Sequence, residues 1–136
     1  MMSGELFAAV IENTILKNST GFDSASLDAD KILGGFDYAA AHGINESLFK
    51  VRILSNVFGE SREGCYAFLL GCVLCDEAKA IINHPANKIV IGGQKQMREA
   101  MSIILSARCG KEIISLSDLT VNSAVARGAI RIYECK

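Results

Sequence analysis

Lys88-Ile-Val-Ile-Gly-Gly-Gln-Lys-Gln-Met-Arg98 is the stretch from which the rest of the chain can be placed. Lys88 to Ile91 predicts a short buried strand, and two glycines end it. Gln94 to Leu105 then predicts an amphipathic helix, with Met97, Met101, Ile104 and Leu105 at helical spacing. Strand, glycine turn and helix is the way an α/β sheet presents a site, and ligands of such sheets sit beyond the carboxyl ends of the strands. Gly92 and Gly93 fall there, with no Cβ to keep a flat ring or a phosphate away. The residues spell neither GxxxxGKS/T nor GxGxxG, so no phosphate-cradling loop is implied. Two readings stand at this point: a tight turn that needs φ > 0 and binds nothing, or a place where a ligand lies on bare main chain.

The surrounding chain has 136 residues, enough for one domain, 1–136, with a real core. Half of its residues are hydrophobic, which excludes a disordered chain. Fourteen basic residues against fifteen acidic leave a net charge of -1. No basic block or aromatic-interleaved stripe occurs, so no nucleic-acid partner is suggested. The most apolar run, Ala67 to Cys75, falls short of the roughly 18 residues a membrane span needs. Met1 to Glu5 lacks a basic region followed by an apolar stretch, so no signal peptide is expected and the cytoplasm is the default location.

Taken in order, Gly4 to Leu16 predicts a first helix, with Ser3 as a candidate cap and Leu6, Phe7, Val10, Ile11, Thr14 and Ile15 on one face. Asp28 to His42 predicts a second, ended by Gly43. Gly34 and Gly35 lie inside it, where each weakens a helix by about 1 kcal/mol relative to Ala. Two central glycines point to another backbone packing close, or to a ligand. Asn45 is the expected cap of a third helix, Glu46 to Phe58. On it Arg52 is either a partner for a carboxylate or phosphate, or a snorkelling surface residue. Ser61 caps a fourth helix, Arg62 to Asn83, apolar nearly all round from Ala67 to Cys75, as a buried central helix is. Gly71 lies in that part, and Asp76 and Glu77 follow it. Beyond the glycine turn, Glu112 to Leu116 predicts a second strand and Asp118 a cap for a last helix, Leu119 to Ala129. Ile130 to Tyr133 extend that helix or form a tail.

Five cysteines are present, and Cys72 and Cys75 form a C-x-x-C. A structural zinc site needs a second pair of ligands, and the two histidines, His42 and His84, are scattered. Redox motifs sit at exposed helix starts, whereas these cysteines lie in an apolar helical run. Buried thiols that act as small hydrophobes are the expectation, with a small redox or metal protein as the rival.

Six helices and two short strands make a poor sheet, since a sheet needs more strands or a covering partner. The chain thus reads as the helical, ligand-facing part of a larger α/β protein. Its residues also resemble a family. Ser3-Gly4-Glu5-Leu6-Phe7 resembles the Thr-Gly-Glu-Leu-Phe motif of the 2-dehydro-3-deoxygalactonokinases. Leu48-Phe49-Lys50-Val51-Arg52 is similar to that family's Leu-Phe-x-Val-Arg, and Phe68 to Glu77 to its Tyr-Leu-Ser-Gly-Leu-Leu-Ile-Gly-x-Glu helix. Gly71 and Glu77 match in that helix, and Cys75 replaces its second glycine. Ile91-Gly92-Gly93 falls where the family has a strand ending in glycine near the adenosine, and Ala124-Val125-Ala126-Arg127-Gly128 resembles its closing Ala-Val-Ala-Arg-Gly.

The resemblance implies the helix-rich C-terminal lobe of a ribonuclease-H-like, actin-like ATPase fold, an α/β fold with few strands present. It implies ATP-dependent phosphorylation of the 6-hydroxyl of 2-dehydro-3-deoxy-D-galactonate, with ATP and Mg²⁺ as cofactors. The first phosphate motif and the catalytic carboxylate are expected in an N-terminal half that this sequence lacks. Gly92, Gly93, Gly4 and Glu5 are then the candidate nucleotide-binding residues, with Arg52, Gly71 and Glu77 behind them. No metal ligand is proposed. The expected partners are the nucleotide, a sugar acid, and a second copy or a separate N-terminal lobe. The rival function is a non-catalytic lobe that acts only by binding a partner chain.

Overall fold

A helix that is apolar on every side must be covered on every side, and the run from Ala67 to Cys75 dictates the architecture in that way. In a computed structural model, which describes residues 2–22 and 26–134, this run forms the middle of the long helix α4. The order of elements is α1 (Ser3–Asn13), a short 3-10 helix (Ile15–Asn18), α2 (Ala29–His42), α3 (Ile44–Asn56), α4 (Arg62–Asn83), β1 (Lys88–Ile91), α5 (Lys95–Arg108), β2 (Glu112–Ser115) and α6 (Asp118–Glu134). Helices α1, α2, α3 and α5 all pack against α4. Leu69 and Leu70 of α4 are fully enclosed, as are Ile32, Val51, Ile104 and Leu105 around it. Each such side chain contributes about 1.5–3 kcal/mol relative to exposure.

The closest of these contacts is made where two glycines face each other. A Cβ on Gly35 of α2 would stand 2.0 Å from the carbonyl oxygen of Phe68, and one on Gly71 of α4 would stand 2.0 Å from that of Ile32. The two backbones therefore touch, and the Cys72 thiol donates to the Gly35 carbonyl at 3.4 Å in the same crossing. Gly34 meets nothing and lies on the exposed side. Of the two explanations open for the central glycines of α2, Gly35 fits close backbone packing.

Local sequence sets the helix ends. Asp28 accepts from the Lys31 amide at 3.0 Å, and Ser61 Oγ from the Gly64 amide at 2.9 Å. Gly43, at φ 79°, ends α2 and also begins α3. The expected cap Asn45 thus lies inside α3, because a left-handed glycine already turns the corner there. Ser3 is the first residue of α1, and Met2 precedes it without a side-chain cap. Helix α1 ends at Asn13, short of Leu16, since the Thr14 hydroxyl accepts from the Leu16 amide and donates to the Val10 carbonyl at 2.6 Å. Leu6 and Ile15, expected on the apolar face, are exposed. Ser117, rather than Asp118, caps α6 by accepting from the Thr120 amide, and Ile130 to Tyr133 extend that helix.

Strands β1 and β2 pair in parallel, with Lys88 opposite Glu112 and Ile91 opposite Ser115, and α5 crosses between them. The strand expected to be buried is not. Ile91 is covered, whereas Val90 is 57% exposed. Two strands with one crossover helix cannot cover both sheet faces. Cys72 and Cys75 are buried in the helical core. Burial pushes the Cys72 thiol up to about 12, outweighing a hydrogen bond with Ser47, and pushes Cys75 upward as well. A redox motif needs the thiolate, so burial in the core weighs against the redox form of the rival. No helix among the described residues is long and apolar enough to cross a membrane.

Candidate functional site

The glycine turn after β1 opens onto a cleft of about 560 Å³, within the roughly 300–1,000 Å³ of small-molecule sites. Four pieces of chain enclose it. The start of α1 contributes Ser3, Gly4, Glu5 and Ala8, and one face of α4 contributes Leu74, Glu77 and Ile81. Strand β1 and its turn bring Ile89 through Gln94, and α5 brings Met97, Arg98 and Met101. The lining is largely aliphatic, with Glu5, Glu77, Gln94 and Arg98 as its longer polar side chains.

Gly92, Gly93, Gly4, Glu5 and Glu77 thus lie around one cleft. Gly71 does not: it is buried against the Ile32 carbonyl, so packing on α2 accounts for its missing Cβ. Arg52 is exposed on α3, which contributes nothing to the cleft. The snorkelling reading is the one its position fits.

Within the turn the two glycines differ. Gly93 has φ +117°, a conformation that side chains rarely adopt, and its Cβ position faces open space. A Cβ on Gly92 would meet only Leu116 Cδ1 at 3.4 Å, an ordinary contact. So Gly93 is needed for the turn's shape, and Gly92 leaves the surface bare. At α1 the amides of Ser3, Gly4 and Glu5 precede the first intrahelical bond, from the Leu6 amide to the Met2 carbonyl. With no side-chain cap, this end presents free N–H groups.

One cleft residue was not singled out from the sequence. Arg98 is 6% exposed, and its guanidinium donates to the Gly93 carbonyl at 2.8 Å and to Asp118 at the start of α6. A signal was available. Arg98 shares the apolar stripe of α5 with Met101 and Leu105, and an arginine on such a stripe needs a built-in partner. Among the described lining residues Arg98 is the one cation, set against the carboxylates of Glu5 and Glu77.

This inventory suits the neutral part of a nucleotide better than its phosphates. An aliphatic slot floored by bare main chain accepts a flat ring, and carboxylates accept from sugar hydroxyls. For an anion the described lining offers the free amides of α1, its one guanidinium being already engaged. Among the described residues no three His, Cys, Asp or Glu side chains form a group that could hold a metal ion.

The profile of a family described as 2-keto-3-deoxy-galactonokinase matches residues 1–132. Among solved structures, a protein from Sinorhizobium meliloti that carries the provisional description 2-dehydro-3-deoxygalactonokinase superposes with a TM-score of 0.72 at 18% identity. The superposition covers 98% of this chain and 46% of that one, so the chain spans less than half of that relative's length. At this identity the likeness speaks for the fold: a helix-rich body with two parallel strands that corresponds to part of a larger structure. No curated protein sequence matches the chain at a significant level.

Proposed function

Since the chain belongs to the 2-keto-3-deoxy-galactonokinase family, we propose that it forms the nucleotide-holding lobe of an ATP-dependent sugar-acid kinase with an actin-like ATPase fold. The reaction is transfer of a phosphoryl group from ATP to the 6-hydroxyl of 2-dehydro-3-deoxy-D-galactonate. The observation that carries this reading is the meeting of the β1 glycine turn, the α1 amides and Glu77 around one aliphatic cleft. In it the base lies on Gly92 and Gly93, Glu77 accepts from the ribose, and the phosphates leave past Gly4 and Glu5.

Phosphoryl transfer is mostly positioning and charge stabilisation, so holding the nucleotide by its neutral end is a sufficient task for one lobe. Mg²⁺ supplies neutralisation of the phosphate oxygens. The proton acceptor for the sugar hydroxyl and the sugar-acid contacts belong to a second lobe in this reading.

Amide spectra of the ¹⁵N-labelled chain, titrated with MgATP, test it. The expected shifts concentrate at Gly92, Gly93, Gln94, Gly4 and Glu5. Absence of any shift at millimolar nucleotide, or shifts confined to α2 and α3, would refute it.

A specific observation favours a second reading, a lobe that acts by pairing with another chain. Leu119, Ile130, Ile132 and Tyr133 of α6 are exposed, as is Val90 of β1. Exposed apolar surface of this kind marks contact faces. Sedimentation of the chain decides: concentration-dependent association abolished by Ile132→Lys supports pairing, and a monomer throughout opposes it.

A further inference from the structure

We propose that Arg98 is a positioning residue: by bridging the Gly93 carbonyl to Asp118, it makes the shape of the nucleotide-facing turn depend on how α6 is attached. This rests on the reading of the cleft as a nucleotide site.

The turn needs such a support. Gly93 sits at φ +117° with nothing packed against it on the Cβ side. A glycine there has a wide choice of conformations and loses more freedom on folding than other residues do. Among the described residues the side chain that holds its carbonyl is that of Arg98, whose Nη1 donates at 2.8 Å. The other end of the fork, Nη2, reaches the carboxylate of Asp118. Arginine suits this position because its planar fork fixes two acceptors at a set angle. The guanidinium is almost wholly buried, so losing either acceptor leaves it poorly compensated.

The far partner is what makes the arrangement more than a local brace. Asp118 is the first residue of α6, and its side chain is 56% exposed. None of the described side chains of α6 belongs to the hydrophobic core, and the helix packs only slightly on the other described elements. Among the described side chains, the Arg98–Asp118 ion pair ties the start of α6 to α5. Displacing α6 therefore pulls on Arg98, whose other side-chain acceptor among the described residues is the Gly93 carbonyl. The Arg98 backbone is held independently, by its amide to Gln94 and by the Ser102 hydroxyl on its carbonyl. Strain from α6 is thereby passed to the turn rather than absorbed by α5.

Three variants of the full chain test this: Arg98→Met, Arg98→Lys and Asp118→Asn, with Ser106→Ala as an exposed control on the same helix, away from the turn. Affinity for a fluorescent ATP analogue, melting temperature, and the Gly93 and Gln94 amide shifts without ligand are read together. Arg98→Met is expected to weaken the nucleotide about tenfold, the worth of one charged hydrogen bond, and to move both amides. Arg98→Lys regains part of the affinity by keeping a donor to Gly93, and Ser106→Ala changes neither affinity nor amides. Asp118→Asn discriminates most sharply. Positioning predicts weaker binding, whereas a guanidinium that binds phosphate directly predicts tighter binding once it is released. Equal or tighter binding by Asp118→Asn, or lower melting temperatures with unchanged affinity, overturns the proposal. If the wild-type chain binds no nucleotide, the functional reading falls, and the positioning role falls with it. If the wild type binds and the variants bind equally well, only the positioning role falls.

Discussion

Replacing Gly35 by Ala tests the closest contact in the core, and its neighbour Gly34 supplies the control. The added methyl at 35 would lie 2.0 Å from the Phe68 carbonyl oxygen, 2.9 Å from its carbon and 3.2 Å from the Cys72 amide nitrogen. These are backbone atoms of α4, so no side chain can rotate out of the way. Real contacts of this type essentially never fall below 3.0 Å, so α2 and α4 must part by at least about 1 Å along their largest interface. A gap of 0.5–1 Å already forfeits about a quarter to a half of the dispersion attraction between facing atoms. Overpacking of a core typically costs about 1–3 kcal/mol and occasionally more, and a rigid obstacle puts this site at or above the upper end. The gain in helix propensity, about 1 kcal/mol, offsets only part of that.

The expected net loss is roughly 2–4 kcal/mol, or about 7–14 °C in melting temperature for a chain of this size. Gly34→Ala meets nothing within 4 Å and is expected to gain about 0.5–1 kcal/mol from the same propensity term. Urea titrations followed by circular dichroism at 222 nm measure both. Equal stability of the two variants, or Gly35→Ala the more stable, would refute the argument that the α2–α4 crossing requires bare backbone at 35.

At the candidate site, Gly93→Ala should cost about 1–2 kcal/mol, because φ +117° is strained for any side chain. Gly92→Ala should cost well under 1 kcal/mol, since its methyl makes only an ordinary contact; thermal melts of the pair check the contrast. Native-state thiol titration at pH 8 should label Cys109 ahead of Cys65, Cys72 and Cys75, the last three being buried. Burial raises the Cys72 thiol from 9.0 to about 12, so this group favours the folded state fully below pH 9. Its contribution declines as pH climbs toward 12, visible as a falling melting temperature that Cys72→Ala flattens. The Lys31–Glu60 pair should show two limbs. Its hydrogen bond holds Glu60 below 4.5, so that contribution is present above pH 4.5 and is lost as pH falls through the lowered value. The same bond raises Lys31 above 10.5, a contribution present below pH 10.5 and lost as pH rises through the raised value. Lys31→Met should therefore melt slightly below wild type in the intervening range and converge with it in acid. The gap should stay within about 1 kcal/mol, because the pair is partly exposed to solvent.

Much of the element order was legible from local cues. Asp28, Gly43 and Ser61 mark helix ends because each meets a need of the backbone within a few residues of itself, and the structure uses all three. Where the expected cap was misplaced, at Asn45 and Asp118, a neighbour did the same local task, Gly43 by its left-handed φ and Ser117 by its hydroxyl. The strand at Lys88 was visible as an apolar run, but its exposure was not, since burial depends on how many other strands and helices arrive to cover it.

The sequence by itself determined the family, through short motifs in order, and the alternation of helices and strands, through periodicity and caps. Only the tertiary structure decided which of two adjacent glycines meets a backbone, that Gly4, Glu77 and Gly92 face one cleft, and that Gly71 and Arg52 stand away from it. It also showed that Arg98 ties the glycine turn to α6. Helix periods and caps follow from interactions across three or four residues, which a linear reading can count. The cleft and the crossing follow from which faces of distant helices come to touch, and that is settled only when the apolar stripes of α2, α4 and α5 are packed together.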